Sequence, residues 1–224
     1  MLSSVVRPVI RAAVAAVVAG ASLGAMTVTA APAAAQPCSD VTVVFARGTG
    51  GPAGPGAVGA NFIEKLRTRL ADKSIDVRPV NYPAAWDFKP SASAGAADAR
   101  AQIESIAAAC PDTQIVLGGT SQGAGVVALV TAVDAPVRGF TPAPLPDAVV
   151  DRVAAVVVFG NPVRKMTGGG PLDVISPRFG AKTLDLCADG DPFCSRGLDF
   201  LAHGAYPRNG MTDHAADFVA ARVR

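Results

Sequence analysis

Residues 118–125 read Gly-Gly-Thr-Ser-Gln-Gly-Ala-Gly, which sets Ser121 in the pattern Gly119-x-Ser121-x-Gly123. Where such a run joins a strand to a helix, the turn is sharp and lifts the serine hydroxyl clear of the sheet. Glycine fits two residues to either side, because side chains there would collide. The helix that follows aims its N-terminus at the same point, where its dipole favours developing negative charge. A serine hydroxyl is a poor nucleophile until a base takes its proton and an acid holds that base. The chain has two histidines, His203 and His214, and both follow the serine. Asp191 lies in Cys-Ala-Asp-Gly-Asp-Pro-Phe-Cys (187–194), a short run with a cysteine at each end. Together these residue types are the parts of an acyl-transfer site, with Ser121 as nucleophile.

The elements that must position them are legible along the chain. Apolar, β-branched runs at 41–48, 75–83, 113–119, 152–160 and 182–187 predict strands. Helical spacing predicts helices over 61–70, 94–110, 123–133 and 212–223. The stretches 49–56, 136–148 and 161–180 are rich in glycine and proline and read as connections. Strands that alternate with helices, several of them continuously apolar, predict a mainly parallel sheet covered on both faces. Ser121 then falls where a strand gives way to a helix, at the sheet edge where such folds bind ligands.

Composition narrows the class. Half of the 224 residues are hydrophobic, enough for one substantial core and too few for two comfortable domains. Residues 1–35 carry Arg7 and Arg11, then an uncharged alanine-rich segment, then the small residues Ala33-Ala34-Ala35. That is the anatomy of a secretory signal peptide, leaving 36–224 as a single domain. Without those two arginines, 18 basic residues face 18 acidic ones, which gives no basic surface for nucleic acid. No metal-ligand or phosphate-loop spacing occurs, so neither a metal nor an organic cofactor is expected. Four cysteines in an exported chain predict two disulfides. Three pairings are open, of which Cys187 with Cys194 is the natural local bridge and leaves Cys38 for Cys110.

The pieces in order resemble the cutinase family of serine esterases, in its actinobacterial branch. They are Cys38-Ser39-Asp40-Val41, Phe45-Ala46-Arg47-Gly48-Thr49, Gly119-Thr120-Ser121-Gln122-Gly123, Phe159-Gly160-Asn161-Pro162, the acid loop 187–194 and His203-Gly204-Ala205-Tyr206. The resemblance implies an α/β-hydrolase three-layer sandwich without a large lid. It implies Ser121 as nucleophile, His203 as general acid and base, and Asp191 as the orienting carboxylate. It also implies an oxyanion hole from Thr49 and Gln122, and the bridges Cys38–Cys110 and Cys187–Cys194. The expected activity is hydrolysis of carboxylic esters with short to medium acyl chains, cutin and lipid esters among them, through an acyl-enzyme. The enzyme is expected to be a secreted or wall-retained monomer, with an apolar rim for transient contact with lipid interfaces. An acyltransferase or thioesterase using the same residues, or an exported cell-envelope binding protein without turnover, are the competing readings. Among competing residues, His214 reads as part of a surface helix, Asp189 precedes the motif glycine, and Asp185 and Asp199 read as a strand and a loop residue. Arg47 reads as structural. Tyr82–Trp86 and Leu198–Leu201 are expected to wall the site.

Overall fold

The apolar runs form five parallel strands in the computed structural model, which describes residues 37–134, 137–166 and 169–224. The segment expected to be a signal peptide lies outside the described residues. In chain order the elements are β1 (Val41–Ala46), α1 (Gly56–Arg69), β2 (Ile75–Pro79), α2 (Phe88–Ala109), β3 (Gln114–Thr120) and α3 (Gln122–Thr131). They continue with α4 (Asp147–Val150), β4 (Val153–Phe159), α5 (Leu172–Ile175), β5 (Thr183–Leu186) and α6 (Met211–Ala220). Two helices begin well before the residues where sequence patterning starts them. Pro90 lies in the first turn of α2, where a missing N–H costs nothing. Gly59, which reads as a breaker, is instead a packing residue of α1: a Cβ there would lie 2.6 Å from the Phe45 ring.

The strands run in the order β2-β1-β3-β4-β5, and every pairing is parallel. Successive side chains on a strand face opposite sides, so a strand covered on both faces sends apolar residues into both cores. In β1, Val41, Val43 and Phe45 enter a core with Phe62 and Leu66 of α1 and Ala216 and Val219 of α6. Val44 and Ala46 enter the other core, with Ala96 and Ile103 of α2 and Val126 and Val130 of α3. This is the α/β-hydrolase type of three-layer fold. Arg69 bonds Asp213 and Asp217 and so ties α1 to α6 on the outside of one layer.

The chain goes from β1 outward to β2, then back across to β3 on the other side of β1. Loops leaving the C-terminal ends of β1 and β3 therefore part at that point and leave a crevice between them. Both disulfides are formed. Cys38–Cys110 joins the segment before β1 to the end of α2, and Cys187–Cys194 closes the loop after β5. In a chain-entropy account the long loop contributes about 4 kcal/mol and the short one about 2–3 kcal/mol.

Candidate active site

Ser121 stands between β3 and α3 with φ 55° and ψ −118°, a conformation that costs a non-glycine residue about 1–3 kcal/mol. The surroundings hold it there. Its N–H donates to the Phe159 carbonyl at 2.9 Å, and its own carbonyl accepts from Ala124 at 2.9 Å and Gly125 at 3.2 Å. The flanking glycines are steric necessities. A Cβ on Gly123 would sit 2.0 Å from the Ala46 carbonyl oxygen, and one on Gly119 would sit 2.3 Å from that of Gly123.

Ala46 pairs with Gly119 across β1 and β3, so the turn after β1 arrives beside the serine. Thr49 lies in that turn. The N–H of Gln122, the first residue of α3, has no intrahelical partner. Among the described residues nothing in the protein accepts a hydrogen bond from the Thr49 N–H either. Thr49 and Gln122 thus each carry a backbone N–H with no acceptor among the described residues, and both line the same cavity as Ser121. The Gln122 side chain is occupied elsewhere. Its Nε2 donates to the Ala85 carbonyl at 2.8 Å, while its Oε1 accepts from the Ser91 hydroxyl at 3.1 Å. These bonds fix the loop that carries Trp86 and the first turn of α2, where Phe88 lies. Beneath the turn, the buried Arg47 guanidinium donates to the carbonyls of Gly51 at 2.8 Å and Tyr82 at 2.6 Å, and lies over the Tyr82 ring. Tyr82 returns its hydroxyl to the Arg47 carbonyl. Arg47 is therefore a strut between loops.

Asp191 is fully buried at the end of the β5 side, inside the Cys187–Cys194 loop. Its Oδ1 accepts from the Phe193 N–H at 2.8 Å. Its Oδ2 accepts from His203 Nδ1 at 2.8 Å and from the Tyr206 hydroxyl at 2.5 Å. The Ala188 N–H donates to that same hydroxyl at 3.2 Å. Burial, reinforced by the bond to Asp191, pushes the Tyr206 phenol well above its ordinary pKa. With Nδ1 engaged by the carboxylate, Nε2 is the imidazole nitrogen left for Ser121. The Phe193 ring packs on the imidazole with centroids 4.3 Å apart. Gly160, at φ 60°, leaves the room these groups need: a Cβ there would lie 2.8 Å from His203 Cε1 and 3.1 Å from Asp191 Oδ2. In the sequence, neither Gly160 nor Tyr206 shows these roles; each stands out only as part of a family resemblance.

Ser121, His203, Thr49 and Gln122 all line one apolar cavity of about 640 Å³, with Asp191 behind the imidazole. Ser121 and His203 make no hydrogen bond to each other, a contact that in hydrolytic sites commonly tightens only when substrate binds. His214 and Asp189 are exposed and absent from the lining, in line with the reading of His214 as part of a surface helix. Two expectations need correction. Of the Tyr82–Trp86 stretch, Trp86 reaches the cavity, whereas Tyr82 is buried under Arg47. Leu198, Phe200 and Leu201 do not wall the cavity; they stand 69–85% exposed, in a segment beyond the Cys187–Cys194 loop whose Asp199 N–H donates to the Gly190 carbonyl at 2.9 Å. Other walls come from α3 and from residues of the connections after it, Val137, Phe140, Pro162, Val163, Met166 and Ile175, which read in the sequence as a buried helix and plain loops.

Sheet order, strained serine and crevice define the α/β-hydrolase class. The family model for cutinase matches residues 37–223. The chain is 49% identical over 210 residues to the phospholipase Culp4 of Mycobacterium tuberculosis, covering 94% of this chain and 90% of that one. It is 46% identical to the carboxylesterase Culp1 of Mycobacterium bovis, covering 84% of each. Among solved structures, Trichoderma reesei cutinase in complex with a phosphonate inhibitor superposes with a TM-score of 0.65 at 35% identity, covering 84% of this chain and 78% of that one. The chain belongs to the cutinase family and is a carboxylic ester hydrolase.

Proposed function

We propose that the protein is an exported serine esterase in which Ser121 is the nucleophile, His203 the general acid and base, and Asp191 the orienting carboxylate. In this reading Ser121 Oγ attacks the ester carbonyl while His203 Nε2 takes its proton. The oxyanion is held by the N–H groups of Thr49 and Gln122, in a site lined mostly by carbon where such bonds are strong. His203 then protonates the departing alcohol. Water, deprotonated by the same nitrogen, attacks the acyl-enzyme and frees Ser121. The observation that carries the reading is the convergence of Ser121 and His203 on one apolar cavity, with the imidazole anchored by buried Asp191.

Residues 1–35 act as the signal peptide in this reading, and 36–224 as the single catalytic domain. Two disulfides suit an oxidising compartment. Trp86, Phe88 and Phe193, which line the cavity, and Phe200, packed edge-on to Phe193, are 41–77% exposed, an apolar rim suited to transient contact with a lipid surface. The test is hydrolysis of p-nitrophenyl butyrate by the mature protein. Ser121→Ala is expected to lose about 10⁶-fold in kcat and Asp191→Asn about 10⁴-fold. A Ser121→Ala protein that keeps its activity would assign the chemistry to another group.

A further inference from the structure

The pattern around Ser121 contains one glycine more than the turn requires. Gly119 and Gly123 are forced by contacts, but a Cβ on Gly125 would meet nothing within 4 Å. Gly125 is inside a helix, where glycine is disfavoured relative to alanine. It also lines the cavity. The same face of α3 continues through Ala128, Leu129 and Ala132, at the helical spacing of three and four residues. Three of these four side chains are a methyl group or less. With side chains this small the face stays low, and it lines the cavity at Gly125, Ala128, Leu129 and Ala132.

The opposing wall is fixed. The segment that brings Pro162, Val163 and Met166 to the cavity is held by the fully buried carboxylate of Asp185. Asp185 accepts from Arg164 Nε at 2.8 Å, Asn161 Nδ2 at 2.7 Å and the Leu172 N–H at 2.8 Å. Val137 and Phe140, which also line the cavity, exchange two backbone hydrogen bonds of 3.2 and 2.8 Å and close a tight turn.

From Ser121 to Ala132 the helix advances about 16 Å at about 1.5 Å per residue. An extended hydrocarbon chain advances about 1.25 Å per carbon, from C–C bonds of about 1.5 Å at tetrahedral angles, so a wall of that length spans about twelve carbons. Twelve methylenes of roughly one water volume each, about 30 Å³, fit within the cavity with room to spare. We propose that the cavity along α3 is an acyl-chain site for fatty-acyl esters of about ten to fourteen carbons, entered past Gly125 and limited in depth by Ala132. The assignment rests on Ser121 being the nucleophile and extends the short-to-medium range expected from the sequence. The chain lies along α3, and the alcohol portion of the ester leaves on the side of the exposed rim.

The experiment is the specificity profile, kcat/KM for p-nitrophenyl esters of two to sixteen carbons at concentrations below their aggregation points. Each methylene that enters the cavity raises kcat/KM by up to about fourfold, so wild type is expected to peak at ten to fourteen carbons. Ala132→Phe fills the far end and moves the peak to shorter esters, lowering the twelve-carbon to four-carbon ratio at least tenfold. Gly125→Leu, whose Cβ meets no atom, lowers the same ratio from the near end and serves if Ala132→Phe does not fold. A wild-type peak at four carbons or fewer, with activity that still depends on Ser121, would overturn the acyl site and leave the serine esterase standing. Absence of any Ser121-dependent hydrolysis across the series would overturn both.

Discussion

Asp191 carries more than its histidine. One oxygen of its carboxylate serves both the imidazole and the Tyr206 phenol, and the other is tied to the backbone of its own loop. A hydrogen bond to a charged group is worth about 1.5–3 kcal/mol. In the proposed triad Tyr206 is thus a positioning residue that acts on the histidine through the acid, and its loss should fall on the chemical step. Tyr206→Phe is expected to lower kcat on the order of tenfold while KM changes little. It has a second readout. Tyr206 keeps its proton in the fold at pH values where an unfolded chain, with a phenol near pKa 10, has lost it. The unfolded state then binds fewer protons, so stability falls as pH rises above about 10. Thermal melts from pH 8 to 11 should show wild type losing Tm more steeply than Tyr206→Phe across the upper part of that range. Parallel losses would contradict this role for Tyr206. Tyr82, buried beside Arg47 and also pushed up by burial, adds a slope common to both proteins.

At the scale of elements, what the sequence discloses follows periodicity and stops where periodicity stops. All five strands and the four long helices are visible as runs of apolar residues at spacings of two or of three and four. The helix starts at Gly56 and Phe88 are hidden because glycine and proline usually interrupt helices. Here Gly59 packs against Phe45 and Pro90 occupies a first turn. The connection at 161–180 hides more. Asp185 lies within β5 and alternates with leucines. Nothing in composition reveals that it reaches out to bind Asn161, Arg164 and Leu172 and so builds a cavity wall. The side chain of Asp185 is fully buried and that of Arg164 is mostly so. Removing one partner leaves the other charge stranded, at a cost of about 3–5 kcal/mol. Asp185→Ala should therefore lower stability by about that amount in urea denaturation. A loss below about 1 kcal/mol would mean that the network does not hold the wall.

For the molecule as a whole, the site is a product of chain path. The serine, the two N–H donors and the acid come from the ends of β1, β3 and β5, and meet because parallel strands deliver their C-terminal loops to one edge. The residues proposed for catalysis are legible in the sequence for different reasons: Ser121 lies in a turn whose flanking glycines are required by local sterics, whereas Asp191 and His203 stand out through a cysteine-bounded loop and a family resemblance. The acyl cavity is not, because it is made of gaps: Gly125 and two alanines on a helix that reads simply as apolar, facing loops distant in sequence. Everything proposed for the site depends on one serine, among those the chain contains, forming the covalent acyl-enzyme. The most direct test is to treat the folded protein with a p-nitrophenyl alkylphosphonate and locate the adduct by peptide mass spectrometry. One phosphonyl group per chain, on the peptide that contains Ser121 and slowed strongly in His203→Ala, is the predicted result. A stable adduct on any other residue, or no adduct while ester hydrolysis proceeds, would contradict it.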